Sequence, residues 1–188
     1  MEEIERKIRQ EKNFIGLVGG GVKVREVEGQ ETNVNAFIKP EGWDIEINVR
    51  QGFNPVSDRR QKAYARRKKI SDGLEKLICD VAFHEFTHWE LPVGSGLGCP
   101  FDLYHHDRIL EAVKNALPNE KKSHSGYVAN AFEDMIINPR VREYRGDFSG
   151  QVLFWDNEGL SCRENGLKHF QPFYEAFVKL NMHLFGDG

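Results

Sequence analysis

Cysteine is scarce in this chain. Its 188 residues hold three, Cys79, Cys99 and Cys162, an odd and sparse set that excludes the disulfide framework of a small secreted domain and points to a cytoplasmic protein. Long apolar runs are missing too. No stretch of about eighteen apolar residues exists, so neither a transmembrane helix nor a membrane partner is expected. The first ten residues are charged and carry no apolar core, so no signal peptide is expected. Charge of one sign is not in excess. A formal net charge of -3 gives no overall field that would gather nucleic acid or a membrane surface. Repeats, low-complexity tracts and linkers are absent, and 39% hydrophobic with 29% charged residues suits one domain over 1–188 with a sizeable core. Gly19-Gly20-Gly21 resembles a phosphate loop only superficially. That loop needs Gly-Lys-Ser/Thr, whereas Lys23 here lies between Val22 and Val24, so a turn is expected.

The patterning predicts an α+β chain. Residues 2–12 read as a short polar helix with Ile4 and Ile8 four apart. Residues 22–27, 34–38 and 43–49 alternate and read as strands of a small antiparallel sheet, most cleanly at Ile45, Ile47 and Val49. That last strand, polar on one face, suits a sheet edge on which an extended peptide could pair. Residues 58–69 hold seven cations around Tyr64. This run reads as a solvated helix or loop, with contact to nucleic acid as the alternative; nucleic acid is not the expected partner. A helix follows from 72 to 91, N-capped by Ser71, and another from 101 to 117 ends before Pro118. A long helix over 123–144 should kink or break after Asn138 because of Pro139. Residues 150–155 read as a strand, 157–162 as a turn and 163–185 as a closing helix. The buried stripe of that last helix is Leu167, Phe170, Phe173, Phe177, Leu180 and Leu184.

The chemistry concentrates in His84-Glu85-Phe86-Thr87-His88. On an α-helix, residues four apart lie about 40° apart around the axis, so His84 and His88 can aim two imidazoles at one point. Glu85 lies about 100° further round, close enough to take a proton from water there. Zinc lowers the pKa of a bound water to roughly 7, so a carboxylate can complete the deprotonation at neutral pH. A catalytic zinc takes three protein ligands, and two histidines leave one vacancy. Glu133 and Asp134 sit among Val128, Ala129, Ala131, Phe132, Met135, Ile136 and Ile137, where a carboxylate is costly unless paired or metal-bound. Glu133 is the natural third ligand. Asp134 could accept the second ring N–H of a ligand histidine, and Asn130, one turn earlier, could brace the site. Cys99, His105 and His106 could form a second metal site, although their spacing fits no common zinc pattern.

His84-Glu85-x-x-His88 followed by Glu133-Asp134 resembles the gluzincin branch of the zincin metallopeptidases, and the length resembles the minimal members called minigluzincins. The metzincin pattern is excluded because it needs Gly at 91 and His at 94, where this chain has Leu91 and Gly94. The resemblance implies a zincin-like fold: a small twisted N-terminal sheet, then the active-site helix, then a glutamate-bearing helix. It also implies one zinc per chain and a peptide or protein substrate hydrolysed with Glu85 as general base. In several gluzincin patterns a second acidic residue lies four positions after the ligand glutamate. Ile137 holds that place here and the aspartate directly follows Glu133, so the choice between Glu133 and Asp134 stays open. A latent or regulatory module of the same fold, its cleft filled by residues 92–101 or by the C-terminal helix, is the alternative to an enzyme.

Overall fold

A computed structural model describes residues 1–14, 19–30, 32–39, 42, 44–88, 101–147, 149–164 and 171–185. The chain is α+β and mostly helical. Helix α1 (Glu2–Phe14) precedes strands β1 (Val22–Val27), β2 (Val34–Lys39) and β3 (Asp44–Arg50). Helices α2 (Arg59–Arg67), α3 (Gly73–His88), α4 (Phe101–Ala116), α5 (Ser125–Arg145), α6 (Ser149–Glu164) and α7 (Gln171–Phe185) follow, with a 3-10 turn over Asn119–His124. No helix among the described residues is long and apolar enough to cross a membrane.

The sheet is mixed rather than antiparallel, in the order β1-β3-β2. β3 runs parallel to β1 and antiparallel to β2. Its position corrects the expectation that this strand forms an edge. Ile45, Ile47 and Val49 are each no more than 1% exposed, and the strand with the best apolar face takes the centre, where both of its edges are paired. Val22, Val24 and Val34 join the same core, as do Ile4 and Ile8 of α1 and Leu77, Ile78, Val81 and Phe86 of α3. α3 is the hub: it packs on α1, α5, α6 and the sheet.

Four other expectations are corrected. The N-cap of α3 is Asp72 rather than Ser71, since the Asp72 carboxylate accepts the Glu75 N–H at 2.9 Å. α5 continues through Pro139 to Arg145, where Gly146 ends it in the left-handed conformation (φ 60°). Pro139 is exposed while Ile137, Asn138 and Val141 are buried around it, so packing on both sides outweighs the one backbone bond that proline removes. Residues 150–155 and 157–162 are helical, within α6. A short apolar run does not distinguish strand from helix by periodicity, and here burial of Val152, Leu153, Trp155, Asn157 and Glu158 spreads around a helix enclosed on several sides. In the closing helix only part of the expected stripe is buried: Phe177 is, whereas Leu180 and Leu184 are each 47% exposed. Leu167, Phe170, Trp43 and the loop 92–100 lie outside the described residues.

Candidate metal centre

α3 carries the two histidines on a helix held from several sides. Asp80, one turn before His84, is 1% exposed. Its carboxylate meets Arg145 Nε of α5 at 2.8 Å, Lys76 Nζ at 2.9 Å and the Gly150 N–H of α6 at 2.8 Å. Gly150 is required there: a Cβ would lie 2.4 Å from the Lys76 carbonyl oxygen and 2.5 Å from Asp80 Oδ2. Three helices are thereby fixed relative to one another just below the site.

One turn further on, three ligand atoms converge. His84 Nε2 lies 3.1 Å from Asp134 Oδ1, His88 Nε2 lies 3.5 Å from the same oxygen, and the two Nε2 atoms are 3.3 Å apart. Both histidines are buried. Burial pushes the Asp134 carboxyl up, but the facing imidazoles of His84 and His88 outweigh it and hold that carboxyl well below the usual carboxylate range. Two imidazoles and one carboxylate can hold a metal ion. The triangle also has the right size. Bonds of roughly 2.0–2.1 Å at tetrahedral angles separate ligand atoms by about 3.3 Å, whereas a right-angled octahedral set would bring them to about 2.9 Å. The observed edges of 3.1, 3.3 and 3.5 Å average to the tetrahedral value.

Glu133 is not one of the three residues whose ligand atoms converge. It is 1% exposed, and its Oε1 lies 2.9 Å from His106 Nδ1 of α4. Adjacent residues on a helix differ by about 100°, so the roll of α5 that turns Asp134 to α3 turns Glu133 to α4. His106 is therefore paired with Glu133, while Cys99 and the side chain of His105 lie outside what is described.

The histidines and Asp134 open on a cleft of about 280 Å³ that Glu85 and Asn130 also line. Glu85 is half-buried and Asn130 exposed. Ala36 of β2 borders the cleft, as do Gln151, Phe154, Trp155 and Glu158 of α6 and Phe177 of α7. Sequence reasoning missed the α6 group because it read that stretch as a strand. Their spacing of i, i+3, i+4 and i+7 is a helical stripe and was the available signal. Glu158 accepts the Asn33 N–H at 3.0 Å, tying α6 to the start of β2, and burial raises its pKa.

β2 presents its outer edge beside this cleft. Ile45 and Gln51 donate their N–H groups to Gly21 and Val27 on the β1 side, and Arg50 donates to Asn33 on the β2 side. Even-numbered residues of β3 thus face β2, and the register pairs them with odd-numbered residues of β2. The backbone groups of Ala36 and Ile38 consequently point outward, where no strand pairs with them among the described residues. No family model, no curated protein and no solved structure matches the chain.

Proposed function

We propose that this chain is a zinc-dependent hydrolase of peptide bonds with a zincin-like site, in which His84, His88 and Asp134 hold the metal and Glu85 is the general base. The observation that carries the reading is the three-atom triangle of tetrahedral size with Glu85 on the same cleft. The donor set favours Asp134 over Glu133 as third ligand, so the site departs from the glutamate type of gluzincin while keeping its plan. When bound, zinc supplies a Lewis acid that polarises a carbonyl and brings the pKa of water to about 7.

The remaining chemistry belongs to the chain. Glu85 takes a proton from the attacking water and returns it to the leaving amine. Buried Phe177 and Trp155 limit water at the cleft wall. The outward N–H and C=O of Ala36 can pair with an extended peptide, which is the reason to favour a peptide over another acyl substrate. Glu85→Gln is expected to keep zinc and to lower cleavage of an unfolded protein mixture by about 10²–10⁴-fold. Unchanged cleavage with Glu85→Gln would remove Glu85 from the mechanism.

Of the two segments that could fill the cleft in a latent module, residues 92–100 lie outside the described residues, and α7 enters through Phe177, which makes it part of the cleft wall. Yet Asn181 of α7 meets Asn138 of α5 at 2.5 Å in the buried interior. A helix anchored in that way is a wall of the fold and not a removable plug, so the enzyme reading is preferred.

A further inference from the structure

Buried polar atoms that lack a partner are costly, so each one in a native fold calls for an explanation. Among the described residues five side-chain atoms are in this condition, and two of them belong to residues lining the metal cleft: His84 Nδ1 and Gln151 Oε1. Their chemistry is complementary. With Nε2 of His84 ligating a metal, the ring proton must sit on Nδ1, which makes that atom a donor. An amide oxygen can only accept. His84 is 6% exposed and Gln151 2% exposed, so bulk water satisfies neither.

The packing explains why the two share one cleft. The Gly150 N–H is bonded to Asp80 Oδ2 at 2.8 Å, and Gly150 has no room to slide along α3. Asp80 is one turn before His84. The residue after Gly150 is Gln151, carried on the α6 stripe that faces the cleft. Its position along α3 is fixed, and its own side-chain torsions remain to orient the amide.

Resting on the zinc reading above, we infer that Gln151 is the positioning residue for His84. Its amide oxygen accepts the Nδ1–H of the imidazole when Nε2 binds metal, which fixes the tautomer and the ring plane. A ligating histidine ordinarily gives its second N–H to a carboxylate, a carbonyl or water; here a neutral side-chain amide fills that role. Metal on Nε2 leaves His84 only the Nδ1–H tautomer, so the donor that Gln151 accepts is enforced when the metal is held.

The test measures zinc affinity by competition with a chromophoric chelator for wild type, Gln151→Leu and Gln151→Glu, beside thermal melting of each metal-free chain. Gln151→Leu is expected to weaken zinc binding by about 10–100-fold. It should leave the metal-free melting temperature unchanged or raised, because the amide it removes is unpartnered. Gln151→Glu, which retains an acceptor, should bind zinc within a few-fold of wild type. The zinc-loaded wild type should show a slowly exchanging imidazole N–H resonance that Gln151→Leu lacks. Wild-type zinc affinity in Gln151→Leu would overturn the inference, as would a metal-free chain destabilised in step with its loss of affinity. Impaired peptide turnover at unchanged affinity would assign the amide to substrate instead. A wild-type chain that binds no zinc would overturn the metal reading itself, and that result is visible before any variant is compared.

Discussion

Asp80 is the residue on which the site's geometry depends, although it has no place in the chemistry. Burial raises its pKa, while Arg145 and Lys76 pull it down. Removing one partner of a buried ion network leaves the others uncompensated, at a cost of about 3–5 kcal/mol. Asp80→Ala is therefore expected to lose stability of that order in urea unfolding. Asp80→Asn, which keeps an acceptor for the Gly150 N–H, should lose less. A loss below about 1 kcal/mol with Asp80→Ala would show that the network is not needed to hold the helices. Cys79 and Tyr64 titrate differently. Burial pushes both up to about 12, from 9.0 and 10.0 respectively. The folded chain thus holds these protons more tightly than the unfolded chain does. The stability they confer is complete below the unfolded values and is lost as pH rises toward 12. The urea midpoint should fall from about pH 9 upward, and less steeply in Cys79→Ala with Tyr64→Phe. An equally steep fall in that double variant would assign the alkaline loss to other groups.

Between elements, the tightest approach is that of α6 to α3. Gly150→Ala places a methyl group against the Lys76 carbonyl at 2.4 Å, a backbone atom that cannot rotate away. Overpacking of this kind costs about 1–3 kcal/mol or more. The melting temperature should fall, and zinc affinity should fall with it because Gln151 is pushed away from α3. A Gly150→Ala chain that melts like wild type would mean that the two helices tolerate a wider spacing. The same elements mark how far the sequence could be read. α1, α3, α4 and the three strands were legible because Ile4 and Ile8, Leu77, Ile78 and Val81, and Ile45, Ile47 and Val49 repeat at helix or strand periods. Strand order was not legible, because period 2 states which face is buried and says nothing of which strand is central. The Val152–Trp155 run was misread because a short apolar segment satisfies both periods. Only the enclosure by α3 and α7, set by residues distant in sequence, makes it a helix.

At the scale of the whole molecule, the convergence of His84 and His88 was legible in the sequence because residues four apart share one face of a helix. The third carboxylate was not. Glu133 and Asp134 are neighbours in an equally apolar stretch, and which of them turns to α3 depends on the roll of α5. Contacts far along the chain set that roll: Arg145 with Asp80, Asn138 with Asn181 and Glu133 with His106. The cleft's β2 edge and α6 wall likewise exist only once the chain is folded. Because the proposed ligands come from α3 and α5, a bound metal should hold the two helices together. Zinc at about 100 times its dissociation constant should add about 2.7 kcal/mol to unfolding. A chelator should reverse that gain, and a melting curve indifferent to both would argue against a site formed by the fold.

The most direct test is zinc stoichiometry of the purified chain beside Asp134→Ala and Glu133→Ala. One zinc per wild-type chain, lost or much weakened in Asp134→Ala and retained in Glu133→Ala, is the expected result. Retention in Asp134→Ala with loss in Glu133→Ala would contradict it, and would require α5 to turn by about 100° from the arrangement described.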